Sequence, residues 1–331
     1  MALDLQPPPT RPSAPRLADE RPPGIVVDTA FRWLAFAAGM LVLVILGLIL
    51  YSTTEQAWPA FQAEGIDFLI KNDWNPAAGS YGALSFVFGT LLISVIALLI
   101  AVPISLGIAL FVTEVAPSWL RRPVITVIDL LATIPSVVFG LWGAYVFAPW
   151  VLPRYEDLAN AFSGVPVLGT LFNGTPVSAR SFMTAGIILA IMVIPIVTSI
   201  TREVFATTPA AQKEGAMALG ATRWEMIRGA VFPHARSGIT SAVLIGLGRA
   251  IGETIAVVLL IGSLPNKITA ELFSPGDSMA SVIVSQFGEA SGTHRSALIG
   301  LGVLLFIITL IVGVIARGLI ARSDRKLGLA R

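Results

Sequence analysis

The apolar positions of this chain do not repeat with a helical or strand period. They are gathered into long runs almost free of charge. Six such runs cover roughly 31–53, 82–113, 123–148, 182–204, 236–263 and 296–319. A helix needs about 18 or more apolar residues to span the hydrocarbon layer. The pattern predicts an all-α integral membrane protein with six transmembrane helices. The second run is long enough to tilt in the bilayer. Pro103, Pro135 and Pro195 fall inside the second, third and fourth runs. Neighbouring helices can re-satisfy the carbonyls that such prolines free, so each is expected to mark a kink.

The polar connections set the expected orientation. With the N-terminus inside, the inside segments carry 16 Lys and Arg, whereas the outside loops (54–81, 149–181 and 264–295) carry 5. That asymmetry places both termini in the cytoplasm. Trp58, Trp74, Tyr81, Trp150 and Tyr155 stand near run ends, where amphipathic rings favour the interface. Residues 1–30 alternate seven prolines with Arg11, Arg16 and Arg21. Such a segment buries no core and is expected to be disordered. The apolar run behind it is too long for a signal-peptide core, so it reads as an uncleaved first helix.

Composition narrows the chemistry. The chain is 55% hydrophobic and 13% charged, about half the charged fraction of a soluble domain. It has no cysteine, which removes disulfides and thiolate sites. Its two histidines, His234 and His294, are too few and too distant for a zinc or haem centre. A net charge of +2 gives no footprint for nucleic acid. No GxxxxGK[ST] phosphate loop is present, and Gly246-x-Gly248 lies inside an apolar run, where no strand precedes it.

The segment TREVFATTPAAQKEGAMALGATRWEMIRGAVFPHA, residues 201–235, carries the punctuation of two short helices. Thr208 is placed to cap the first, with Pro209 at its first position. Gly220 closes it. Thr222 and Glu225 have capping-box spacing, and the second helix is expected to end before Pro233. Ala210, Ala211, Gly215, Ala216 and Ala218 make the first helix small-sided, so another protein surface can approach it closely. Lys213 and Glu214 could set the register of that contact. Trp224, Ile227 and Val231 form an apolar face to hold the unit to the bundle.

The fifth run contains Arg249 and Glu253. A charge at mid-bilayer costs about 2.5–3.5 kcal/mol even on the gentler scale, so both should face the bundle interior. Ala242, Gly246, Arg249, Glu253 and Ala256 share one face of a continuous helix. The pair reads either as a packing ion pair or as a cationic station for an anion, with Glu253 holding the arginine. The order Arg before Glu is the weaker one for helix support, and a guanidinium suits oxyanion geometry. Ser136, beside Pro135, could donate to a passing oxyanion or bond back to its own helix. Asp129, near the cytoplasmic end of the third run, reads as a snorkelling side chain or a helix-end contact.

The spacing Glu214-Gly-Ala216, Gly220 and Pro233 resembles the EAA loop of ABC importer permeases. Gly215, Ala230 and Phe232 depart mildly from the usual residues. The stretches GRAIGETIAV (248–257) and TIPSVVFGLWG (133–143) are similar to phosphate-importer permeases of the PstC type, and the likeness covers about residues 25–325. The resemblance implies a type I permease fold in the bacterial inner membrane. Its parts would be a tail over 1–30, a first helix over 31–53, a five-helix core over 82–319 with a coupling loop over 205–233, and a cytoplasmic tail over 320–331. It implies Glu214, Ala216, Gly220 and Pro233 as the ATPase-coupling residues and Arg249, Glu253 and Ser136 along the substrate path. The implied partners are a second permease (PstA type), an ATPase dimer (PstB type) that uses ATP and Mg, and an extracytoplasmic phosphate-binding protein (PstS type). This chain itself would need no cofactor and catalyse no covalent step. The rival readings are the same fold importing sulfate, molybdate or phosphonate; a non-transporting membrane anchor, which would not need an intramembrane Arg–Glu pair; and an ion-gradient-driven secondary transporter. The last predicts inverted repeats, and no convincing repeat is visible.

Overall fold

The computed structural model describes residues 25–172 and 179–326. The expected tail therefore lies outside the described residues up to position 24. Residues 25–30 are already helical, and residues 327–331 also lie outside. The chain divides into two units, residues 1–51 and 52–331. In the first unit the described residues form the leading part of helix α1 (Ile25–Glu64), with large exposed apolar side chains such as Phe31, Trp33 and Leu34.

The second unit begins with the rest of α1. It continues through α2 (Asp67–Ile70) and a hairpin of β1 (Trp74–Asn75) and β2 (Ser80–Tyr81), paired antiparallel with Trp74 opposite Tyr81. Helix α3 (Leu84–Leu110) ends in a π-turn, Phe111–Val115. Then come α4 (Ser118–Thr133), α5 (Ser136–Trp142), a π-turn at Gly143–Phe147, α6 (Ala148–Phe162) and α7 (Leu168–Leu171). The chain continues with α8 (Phe182–Ala206), α9 (Ala210–Ala218), α10 (Arg223–Met226), a π-turn at Ile227–Val231 and α11 (Phe232–Gly252). It closes with α12 (Ile255–Leu260), α13 (Met279–Gln286) and α14 (Gly292–Lys326).

Helix α8 is central. It packs along α3 and α11 and touches α4 and α12. Small residues make these approaches close. A Cβ on Gly246 of α11 would lie 2.8 and 2.9 Å from the methyls of Val197 and Val193. One on Gly186 of α8 would lie 2.5 Å from Ile96 of α3. Between lipid-facing helices such contacts supply the packing that hydrophobicity alone cannot. Ser105 of α3 also donates to the carbonyl of Ile194, 3.2 Å away in α8.

Among the described residues, five helices rather than six are long and apolar enough to cross a membrane: Asp28–Glu64, Leu84–Val115, Ser136–Phe162, Phe182–Ala206 and Gly292–Gly318. Two expected runs depart from the sequence reading. The third, over 123–148, is interrupted, and the long apolar helix starts at Ser136. Proline forces its predecessor out of the helical region, and Ile134 accordingly has ψ of 127°. Pro135 is thus a break rather than a kink. The fifth run, over 236–263, also breaks, with Glu253 extended at ψ 130° between α11 and α12. Side chains take over the backbone groups freed there. Thr254 Oγ1 donates to the Gly252 carbonyl at 3.2 Å, and Glu253 Oε1 accepts from Ala256 N–H at 3.5 Å.

At the hairpin end, Trp74 packs edge-on against Tyr81 and Phe86. The last residue of α12 and the segment 261–278 that follows it strap across the start of α8. Ser181 N–H donates to Leu260, Phe182 N–H to Ser274 and Met183 N–H to Leu272, at 2.9–3.1 Å. These bonds satisfy donors that every helix start leaves free. The strap ends at Asp277, whose side chain is buried and accepts from Ser278 N–H and Ser281 Oγ. Burial pushes the Asp277 carboxyl up, and those two hydrogen bonds partly oppose the shift.

Candidate functional site

At the opposite end of the bundle, α9, α10 and the π-turn between α10 and α11 form a projecting helical corner. Pro209, rather than Thr208, is the residue before α9; Thr208 is buried with its hydroxyl unpartnered. Gly220 has φ +87°. Its N–H donates to Met217 at 3.0 Å, and that of Ala221 donates to Ala216 at 3.1 Å. This is the paired bonding of a glycine-closed helix end. The Thr222–Glu225 capping box is present in full. The Thr222 N–H and hydroxyl, both bound to the Glu225 carboxylate, hold it below the usual range.

The second helix does not end before Pro233. It runs on into α11 through the π-turn, in which Phe232 N–H reaches Ile227 at i−5. The wider turn accommodates the donor that Pro233 lacks. Ile227 and Val231 are buried in a cluster with Ala109, Phe205, Met226 and Ala235. Trp224, expected on that face, is 61% exposed, and Met226 fills the place instead.

Two grooves flank α9. One, about 300 Å³, is lined by Lys213, Glu214, Met217 and Arg223 with Glu114 and Ile227. The other, about 630 Å³, is lined by Ala216, Leu219, Pro233 and His234 among others. Glu214 is exposed, Ala216 half-buried, and Leu219 92% exposed. The structure thus gathers Glu214, Ala216, Gly220 and Pro233 around one corner. Lys213 turns inward, placing Nζ 2.5 Å from Oε1 of Glu114 in the α3 π-turn. Sequence reasoning passed over Glu114; the signal was an acidic residue closing an apolar run on the arginine-rich side.

The charged pair lies at the α11–α12 break. Arg249 Nη2 is 3.9 Å from Glu253 Oε2, with the arginine side chain 38% exposed and the glutamate 9%. Ala242, Gly246, Ala250 and Ile251 are the buried residues along this stretch of α11, while the Arg249 side chain, on the same turn-to-turn face as Ala242 and Gly246, is partly exposed. The helix break at Glu253 removes Ala256 from the face that Gly246 and Arg249 share. Ser136 is half-buried at the start of α5, where its hydroxyl has no described partner. Asp129 is exposed on α4. Helices α5 and α12, which restart after the two breaks, pack together, with Gly140 pressed against Ala256 and Leu259. The stretches 133–143 and 248–257 are therefore the two helix breaks, joined through the helices that follow them.

This helical architecture matches the permease fold of ABC transporters. A bacterial alginate ABC transporter chain superposes with TM-score 0.57 at 20% identity, covering 92% of this chain and 98% of that one. A chain of the methionine transporter MetNI gives 0.53 at 16%, covering 72% and 94%. Residues 101–328 match the family described as binding-protein-dependent transport system inner membrane component. Relatives named phosphate transport system permease protein PstC occur in Pasteurella multocida, 44% identical over 92% of this chain and 94% of that protein, and in Xylella fastidiosa strain 9a5c, 45% identical over 91% and 93%. The chain belongs to this PstC family of inner-membrane transport permeases.

Proposed function

We propose that the chain is the permease subunit of an ATP-driven phosphate importer. The observation that carries this reading is the pairing of the two helix breaks, with Arg249 and Glu253 at one and Ser136 at the other, in a chain of the PstC family. A break inside an apolar bundle exposes backbone groups and positions charge where a passing oxyanion needs it. Arg249 supplies the positive station; Glu253 orients the guanidinium and keeps the anion from being held too tightly. Ser136 adds a hydroxyl donor.

In this reading α11 and α12 together make an interrupted crossing in addition to the five continuous ones. Both termini then face the cytoplasm of a bacterial inner membrane, as the Lys and Arg distribution requires. Helix α9 seats in a separate ATPase of the PstB type, which binds ATP and Mg, with Glu214, Ala216, Gly220 and Pro233 shaping the contact. A second permease of the PstA type completes the path, and a phosphate-binding protein of the PstS type delivers the anion to the hairpin end. Helix movement driven by ATP changes which end of the path is open; this chain performs no covalent chemistry.

The test is uptake of radiolabelled phosphate at limiting concentration in cells lacking the chain and in cells with it restored. Uptake that is lost, returns on restoration and fails again with Glu214→Ala supports the proposal. Intact phosphate uptake with loss of sulfate, molybdate or phosphonate uptake instead would change the cargo. Uptake that follows the proton or sodium gradient rather than ATP would overturn the coupling.

A further inference from the structure

Helix α9 is loosely held by packing. None of its residues is buried, and only Ala216 leans on the apolar cluster at the base of the bundle. Apolar contact of that kind is non-directional and allows sliding. The directional link is the ion pair between Lys213 and Glu114 at 2.5 Å. Glu114 is only 9% exposed, so this carboxylate has little water to replace a lost partner. It belongs to the π-turn that continues α3, where Ala116 N–H donates to Phe111 at 2.7 Å. Arg121 Nε then donates to the Ala116 carbonyl at 2.9 Å, tying the corner to α4.

Helix α3 is continuous for 27 residues from that turn to the hairpin end, with Pro103 inside it, a length of about 40 Å. Its far end is engaged as closely as its near end. Gly89 rests against the Asp277 carbonyl so tightly that a Cβ would lie within 1.9 Å of the oxygen. The next residue, Thr90, accepts Met279 N–H through its hydroxyl at 3.0 Å. The strap over 261–278 that ends there also caps the start of α8.

We propose that Lys213 and Glu114 form a positioning strut that delivers displacement of α9 to α3, whose other end meets the strap at the far side of the bundle. This rests on reading α9 as the ATPase-facing segment. Neither residue touches the transported anion; the pair sets how much of each ATP cycle reaches the path.

The experiment uses the complete importer in proteoliposomes and reads ATP hydrolysed per phosphate taken up, with assembly checked by co-purification of the subunits. Glu114→Gln and Lys213→Met are expected to hydrolyse ATP near the wild-type rate while uptake falls about fivefold. The exchanged pair Glu114→Lys/Lys213→Glu is expected to recover most of the lost stoichiometry; a purely structural pair would instead show its loss as reduced co-purification of the subunits, with the ATP-to-phosphate ratio of the assembled fraction unchanged. Unchanged stoichiometry in the single variants, loss of assembly as the cause of lost uptake, or no recovery in the exchanged pair would each overturn the strut while leaving the importer intact. A wild-type complex without ATP-driven uptake would overturn the importer reading and the strut with it.

Discussion

Gly89→Ala tests the contact between α3 and the strap. The added methyl would lie 1.9 Å from the Asp277 carbonyl oxygen, 3.1 Å from its carbon and 3.2 Å from Phe182 Cε1. The obstacle is backbone, so no rotamer change relieves it, and α3 and the strap must part. Forced overpacking costs about 1–3 kcal/mol, and losing the adjacent Met279–Thr90 hydrogen bond adds about 1 kcal/mol. Better helix propensity returns about 0.5–1 kcal/mol. The net destabilisation is about 1–3 kcal/mol, which lowers a thermal midpoint by about 2–6 °C. Gly107→Ala, in the same helix with no atom within 4 Å of the new methyl, provides the control. It gains only the propensity, about 0.5–1 kcal/mol, and its midpoint should rise slightly. Thermal unfolding of both variants in detergent, at one scan rate, decides the matter. Equal midpoints for the two variants would refute the reasoning, because the strap would then not be seated on α3.

Four other outcomes are expected. Gly220→Ala places a side chain at φ +87°, costs about 1 kcal/mol or more in the corner, and should uncouple ATP hydrolysis from uptake while insertion is retained, as measured in vesicles. Arg249→Ala should lower phosphate uptake without loss of assembly; unchanged uptake kinetics would leave the residue as packing only. Ile227→Ala should destabilise by about 2–4 kcal/mol whereas exposed Trp224→Ala should stay within about 0.5 kcal/mol, a contrast that unfolding midpoints can read. Asp277 has a raised carboxyl pKa, so its stabilising contribution is complete below the ordinary value of 3.8 and is lost as pH rises through the folded value. The wild-type midpoint should therefore decline over that window, and Asp277→Asn should flatten the profile.

Much of this protein is legible along the chain because its solvent is lipid. A bilayer demands uninterrupted apolar length, so membrane residence, four of the five continuous spans and the approximate place of each could be read from runs of residues alone. Local capping chemistry was equally readable. The Thr222–Glu225 box and the left-handed Gly220 depend on residues three to six apart, and both form. Tertiary structure decided what depends on distant partners. The third and fifth runs look continuous, yet they break at Pro135 and Glu253, where side chains and neighbouring helices replace the lost backbone bonds. The break moves Ala256 off the face shared with Gly246, and Met226 rather than Trp224 packs into the base of the bundle. Lys213 reads as a surface charge until the fold brings it to Glu114, 99 residues away. Hydrophobic length and capping are one-dimensional constraints; register, helix breaks and ion pairing are settled only when the helices meet.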